Sequence, residues 1–148
     1  MAHPLEVAAL VEAAGFSDEI VAAALLHDVV EDTDVEVGQI AAEFGSRIAA
    51  LVETLTEDES IKGYSARKAD LRRRACAAGP EAAFISVADK LSSVRRIRRA
   101  QKDPKQRKLA HYEATLALVR GEHPGLPLLD QLGKELAALQ LELAHVRA

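Results

Sequence analysis

Tryptophan is absent from this sequence, and cysteine occurs once, as Cys76. A single cysteine excludes an internal disulfide and fits a reducing compartment. Aromatics are 3% of the 148 residues, so base-stacking platforms for single-stranded nucleic acid are scarce. No apolar run approaches the ~18–20 residues that cross a bilayer, and no basic segment leads into a hydrophobic stretch at the N-terminus. The expectation is a cytoplasmic chain with no membrane span and no secretory signal. Strand signals are also few.

Cations are nearly missing from the first 60 positions, where Arg47 stands against 14 acidic side chains. The remaining 88 residues hold 18 basic and nine acidic side chains, so the two parts carry −13 and +9. This split suits an acidic site that holds a cation, facing basic residues that hold a phosphate. It suits equally two halves of one domain that attract each other.

What is present is 49% hydrophobic and 28% charged residues, the balance of one compact domain. A chain this long buries roughly two-thirds of its unfolded surface, so it needs no metal to fold. A metal bound here is expected to serve chemistry. Helix signals run almost throughout. Pro4 suits a first turn, and Gly15 suits a C-terminal cap after Leu5–Ala14. Ser17 is placed to cap a helix whose apolar body, Ile20 to Leu26, runs on into His27 and Asp28. Thr33 and Glu36 have capping-box spacing for a short helix ending near Gly45, and Ser46 is placed to cap the next. Ile48, Leu51, Val52 and Leu55 share one face of that helix. Basic Ser65–Ala77 ends at Gly79-Pro80, and helices over Glu81–Arg99, Lys105–Arg120 and Pro127–Val146 follow.

The strongest chemical signal is Leu26-His27-Asp28-Val29-Val30-Glu31-Asp32 at the end of an apolar helix. Charges there need compensation. In a continuous helix His27 and Glu31 form one polar column and Asp28 and Asp32 another. An imidazole beside a carboxylate is a ligand pair for a divalent cation, with acids one turn on to hold water. The plainer reading is a helix end whose acids face solvent. His3-Pro4 begins another helix, and Asp89 lies in the apolar stripe of Phe84, Val87, Leu91 and Val94.

Taken together, these segments resemble the HD-domain phosphohydrolases. Within them the likeness is to the hydrolase domain of the Rel/Spo alarmone enzymes and to the small stand-alone alarmone hydrolases. The matching residues are His3-Pro4 with Val7-Ala8, Ala22 through Thr33, Phe44-Gly45, Leu51-Val52, Leu55-Thr56 and Ala88-Asp89-Lys90-Leu91. The resemblance implies an all-α, single compact HD-domain helical bundle over 1–148, with 122–148 a C-terminal helical extension. It implies one divalent metal, usually manganese, held by His3, His27, Asp28 and Asp89. Glu31 and Asp32 would position or deprotonate the attacking water, and the substrate would be the 3′-pyrophosphate of ppGpp or pppGpp. Four N/O ligands leave open octahedral positions for a water and a phosphate oxygen.

The pattern departs from the family in two places. A helix and a base-contacting basic residue precede the first histidine in the family, whereas two residues precede His3 here. An upstream reading frame and a shortened member would each account for this. Ser93 stands where an asparagine touches the nucleotide, and Ser92 where an aromatic or histidine stands. Two alternatives therefore stay open: hydrolysis of another nucleotide or phosphate ester, and a non-catalytic nucleotide-binding or interaction module.

Among the basic residues, the resemblance favours Arg67 and Lys68 for phosphate capture. Eight cations between Arg95 and Lys108 make a dense patch, but nucleic acid is not the expected partner, since only Tyr112 lies nearby to stack on a base. Most of these cations are expected on solvated helix faces. Leucines 129, 132, 136, 139 and 143 are spaced either as a seam for a homo-oligomer or as a helix folded back on the core. His111, His123 and His145 lack ligand-spaced partners. Three arginines before Cys76 would lower its pKa, but no base pairs with it in sequence.

Overall fold

The computed structural model describes residues 2–148. Among these, nine helices follow one another without a strand: α1 His3–Ala13, α2 Asp18–Leu26, α3 Val29–Asp32, α4 Val37–Phe44, α5 Ser46–Thr54, α6 Tyr64–Ala77, α7 Pro80–Arg99, α8 Gln106–Glu122 and α9 Leu129–Arg147. The protein is an all-α helical bundle, as expected. No helix among the described residues is long and apolar enough to cross a membrane.

Local chemistry accounts for the element ends, and three differ from expectation. The capping box is Glu36 with Gln39 rather than Thr33 with Glu36. Thr33 is occupied in closing α3, where its hydroxyl donates to the Val29 carbonyl at 2.6 Å. Ser46 is the first residue of α5 and not its cap. The cap is Gly45, whose φ of +95° is a backbone state that glycine reaches without a side-chain clash. Pro127 precedes α9 instead of opening it, and Leu128 turns the chain into the helix at φ +70°.

A fourth and larger difference lies between Leu26 and Val29. The expected continuous helix breaks there, so His27 and Asp28 form a turn between α2 and α3. The cause is visible in the bonding. His27 Nδ1 donates to the Ala24 carbonyl at 2.5 Å, taking the acceptor that the Asp28 amide would use in an unbroken helix.

Helix α7 runs through the middle of the molecule and is buried on two sides. Phe84, Ile85 and Ala88 join Val7, Val11, Ile20 and Val52 in one apolar cluster. Val87, Leu91 and Val94 join residues of α8 and α9 in a second. Phe84 stacks on Phe16 with ring centroids 4.7 Å apart. Each fully buried side chain of this size contributes roughly 1.5–3 kcal/mol. The five spaced leucines of α9 are all buried in the second cluster, so the stripe is a helix folded back on the chain's own core. Arg98 pins the fold-back by pairing with Glu135 at 2.5 Å and Glu142 at 2.7 Å. Packing of α1, α2 and α7 then brings the start of α1, the break after α2 and the middle of α7 to one place.

Candidate metal centre

The break after α2 and the central position of α7 decide the geometry of this place. Asp89 Oδ1 lies 2.7 Å from His3 Nε2 and 3.0 Å from His27 Nε2. Asp28 Oδ2 lies 3.1 Å from the same His27 nitrogen. One ligand atom from each of His3, His27, Asp28 and Asp89 lies within 4.8 Å of the others. All four residues singled out as ligands in the sequence are therefore brought together.

The proton positions follow from the surrounding bonds. A carbonyl only accepts, so His27 carries its proton on Nδ1 toward Ala24, and Nε2 keeps its lone pair. Ser92 Oγ donates its one hydrogen to Glu6 Oε2 at 2.6 Å. It must then accept from His3 Nδ1, 3.0 Å away, which leaves the His3 Nε2 lone pair free as well. With both imidazoles neutral, two Nε2 lone pairs and two carboxylates thus face one point. Such a set is mutually repulsive unless it holds a cation, and its N/O chemistry suits a divalent metal. In the metal-free chain a proton fills that need. Burial opposes a charged His27, but the bonds to Asp28 and Asp89 outweigh it and raise this histidine to about 10. Burial likewise pushes Asp89 up, while Lys90, His27 and His3 overcome it and hold the carboxyl well below its ordinary range.

Sequence reasoning missed the residues behind the ligands. Glu6 and Ser92 fix the His3 tautomer, the second layer that orients metal-binding histidines. Burial raises Glu6, yet Ser92 and Arg99 outweigh it and keep it ionised. Arg99 reaches Glu6 at 2.9 Å. Lys90 is buried beside Asp89, with Nζ 2.6 Å from Oδ2, and so balances the acidic side of the centre. No spacing rule finds this layer, because Glu6 and Ser92 meet only through packing of α1 on α7.

Glu31 lies beside this cluster, lining a small cavity with His27, Asp28, Lys68 and Asp89. Its Oε1 accepts from the Glu57 amide at 2.7 Å. Desolvation at the cavity rim is the main influence on Glu31 and raises it, and the Glu57 and Asp28 charges act in the same direction. Asp32 lines the adjoining cavity of about 220 Å³ together with Lys68, Lys90 and Ser93. Of the two basic residues favoured from sequence, Lys68 borders both cavities, whereas Arg67 donates to Glu57 at 3.0 Å. Lys68 also pairs with Glu57. Ser93 lines the adjoining cavity beside Tyr112.

Much of the basic run is spent on the fold. Arg74 donates to the Thr54 and Thr56 carbonyls at 2.9 and 2.8 Å, closing the end of α5. Arg73 and Arg74 both hold Asp70. Cys76 shows the reverse of its expected shift: burial and the nearby Glu122 push the thiol up to about 11. His123, which has no partner at ligand spacing in the sequence, meets Cys76 and Glu122 in space and donates from Nε2 to the Cys76 carbonyl at 2.8 Å.

The comparisons with known proteins agree with this geometry. The sequence profile described as HD domain matches residues 1–116. The chain is 38% identical over 99 residues to the mouse guanosine-3′,5′-bis(diphosphate) 3′-pyrophosphohydrolase MESH1, covering 66% of this chain and 55% of that protein. It is 38% identical over 96 residues to the enzyme of the same description from Aquifex aeolicus, covering 63% of this chain but 14% of that protein. The chain therefore spans about half the length of the first relative and a small part of the second. Among solved structures, lmo0812 from Listeria monocytogenes superposes with a TM-score of 0.84 at 29% identity, covering 94% of this chain and 96% of that one. A metazoan ortholog of SpoT that hydrolyzes ppGpp superposes at 0.76 with 27% identity, covering 95% and 80%. Sequence profile, fold and the His/His/Asp/Asp cluster converge on one conclusion: this chain belongs to the HD domain family.

Proposed function

We propose that this chain is a metal-dependent phosphohydrolase that removes the 3′-pyrophosphate of ppGpp or pppGpp. The observation that carries the reading is the convergence of two imidazole nitrogens and two carboxylates beside Glu31 and a lysine-lined cavity. The relatives named as 3′-pyrophosphohydrolases support the substrate. His3, His27, Asp28 and Asp89 hold one divalent ion, with manganese as the proposed metal. When bound, the ion supplies acidification of a water and neutralisation of charge at phosphorus.

The chain's own residues do the rest. Glu31 accepts the proton of the attacking water, and its raised affinity for protons suits that role. The Glu57 amide fixes the orientation of that carboxylate. Asp32 holds the water from the other cavity. The water oxygen bonds to phosphorus as the bond to the ribose 3′ oxygen breaks, and that oxygen leaves with a proton. Pyrophosphate and GDP or GTP are the products. Lys68 meets the phosphates, Arg67 holds Glu57 in place behind it, and Ser93 faces the nucleoside side.

The proposed unit is the whole 1–148 stretch, with 122–148 as its helical extension, supported by burial of the α9 leucines against α7 and α8. Its proposed location is the cytoplasm, where such a nucleotide is available.

Incubating the chain with manganese and ppGpp, beside an Asp28→Ala control, tests the reading by anion-exchange chromatography. Pyrophosphate and GDP from the wild type alone are expected; intact ppGpp overturns it. A second reading, hydrolysis of a different nucleotide, is favoured by one observation. Ser93 lines the cavity with a hydroxyl where the resemblance would put an asparagine amide against the nucleotide. A panel of phosphorylated nucleosides in the same assay separates the two.

A further inference from the structure

One buried polar atom stands out among the described residues: His111 Nε2 has no hydrogen-bond partner. The residue is on α8 and 5% exposed. Leaving a buried donor or acceptor unpaired costs on the order of 1–3 kcal/mol, so such an atom calls for an explanation. Its other ring nitrogen is accounted for, since Arg72 Nη1 lies 2.9 Å from Nδ1. A guanidinium has only donors, so Nδ1 must be the acceptor. The ring proton is thereby confined to Nε2, which is an N–H without a partner.

His111 also borders the cavity of about 220 Å³ that Asp28, Asp89, Lys68, Lys90 and Lys108 share. Burial comes first, and Lys90, Lys68 and Arg72 act with it, in keeping the imidazole neutral. The cavity therefore combines lysine point charges with one neutral donor, whose ring is buried and held by Arg72. Lysines attract a phosphate from any direction, whereas a fixed N–H selects an orientation.

Resting on the phosphohydrolase reading above, we infer that His111 is a substrate-binding residue whose Nε2–H, set by Arg72 as its positioning residue, donates to a phosphate oxygen of the substrate. Nε2 is covered by its neighbours, so the oxygen reaches it as side chains at the cavity rim shift on binding.

The test uses the manganese-loaded full chain and two probes, ppGpp in steady-state hydrolysis and inorganic pyrophosphate in calorimetric titration. His111→Phe keeps a ring in the core and removes the donor. It is expected to raise KM for ppGpp and Kd for pyrophosphate about tenfold, one hydrogen bond's worth. Metal content and kcat should stay within twofold. His111→Gln, which can accept from Arg72 and still donate, should recover most of the loss. Unchanged KM and Kd in His111→Phe overturn the inference, as does a loss confined to kcat or metal content. If that variant does not fold, the wild type labelled with ¹⁵N-histidine decides. The His111 Nε2–H resonance shifts on adding pyrophosphate if the inference holds, and stays put if it fails. A wild type that leaves ppGpp intact, with pyrophosphate binding still weakened by His111→Phe, would sink the proposed reaction and keep the His111 site.

Discussion

His3 Nε2 stands 2.7 Å from Asp89 Oδ1, across 86 positions of sequence. An imidazole nitrogen and a carboxylate oxygen at this distance are joined by a proton or by a metal ion. The centre is thus a candidate cation site by its set of ligand atoms.

Removing ligands should separate two kinds of damage. Asp28→Asn is expected to abolish metal binding and lower hydrolysis by at least ~100-fold, with little change in melting, since its side chain is 31% exposed. Asp89→Asn should lose metal as well and also melt earlier, because buried Lys90 loses its counter-ion. Breaking a buried pair costs about 3–5 kcal/mol. Thermal melts of the two metal-free variants check this, and equal melting temperatures would contradict it.

Ser92→Ala tests the layer behind the metal. The hydroxyl links Glu6 to His3, so its loss frees the imidazole to rotate or change tautomer. Manganese affinity should fall roughly 10–100-fold while the fold is retained. Calorimetric titration of manganese reads the change directly, and wild-type affinity in the variant would show the link to be idle.

Lys68 and Arg67 are adjacent in sequence and differ in role. Lys68→Met should raise KM for ppGpp about tenfold, since Lys68 borders both cavities. Arg67→Met should act mainly on kcat, by loosening Glu57 and through it the Glu31 carboxylate. The reverse split in steady-state kinetics would exchange their assignments.

The Glu57 pairs predict a pH effect of definite sign. Burial pushes this carboxyl up, but Lys68 and Arg67 outweigh it and hold it below the ordinary 4.5. A depressed carboxylate contributes stability above its unfolded value and loses it as pH falls through the folded one. The wild type should therefore exceed Glu57→Gln in melting temperature by roughly 2–4 °C near pH 7, about 1 kcal/mol for a chain of this size. That gap should close below about pH 4.5. Melting curves at pH 7, 5 and 3.5 would show a constant gap if the pairs contribute nothing.

The fold class and the members of the candidate metal cluster were legible in the chain, because helix signals are local and because His27-Asp28 and Asp89 interrupt apolar stretches where ionisable groups are costly. The leucine spacing of α9 was legible too, but not its target. The same stripe serves a second subunit or the chain's own core, and only the packing of α9 on α7 decides.

The sequence by itself determined which residues could bind a cation, since ligand chemistry resides in side-chain type. Tertiary structure alone decided how they bind it. A continuous helix through His27 would have spread its acids into two columns, and the His27–Ala24 bond breaks that helix and turns His27 and Asp28 toward Asp89. The Glu6–Ser92–His3 chain and the unpaired nitrogen of His111 were out of reach of any spacing rule. Tautomers are set by partners from other helices, and those partners meet only when α1, α6, α7 and α8 are packed.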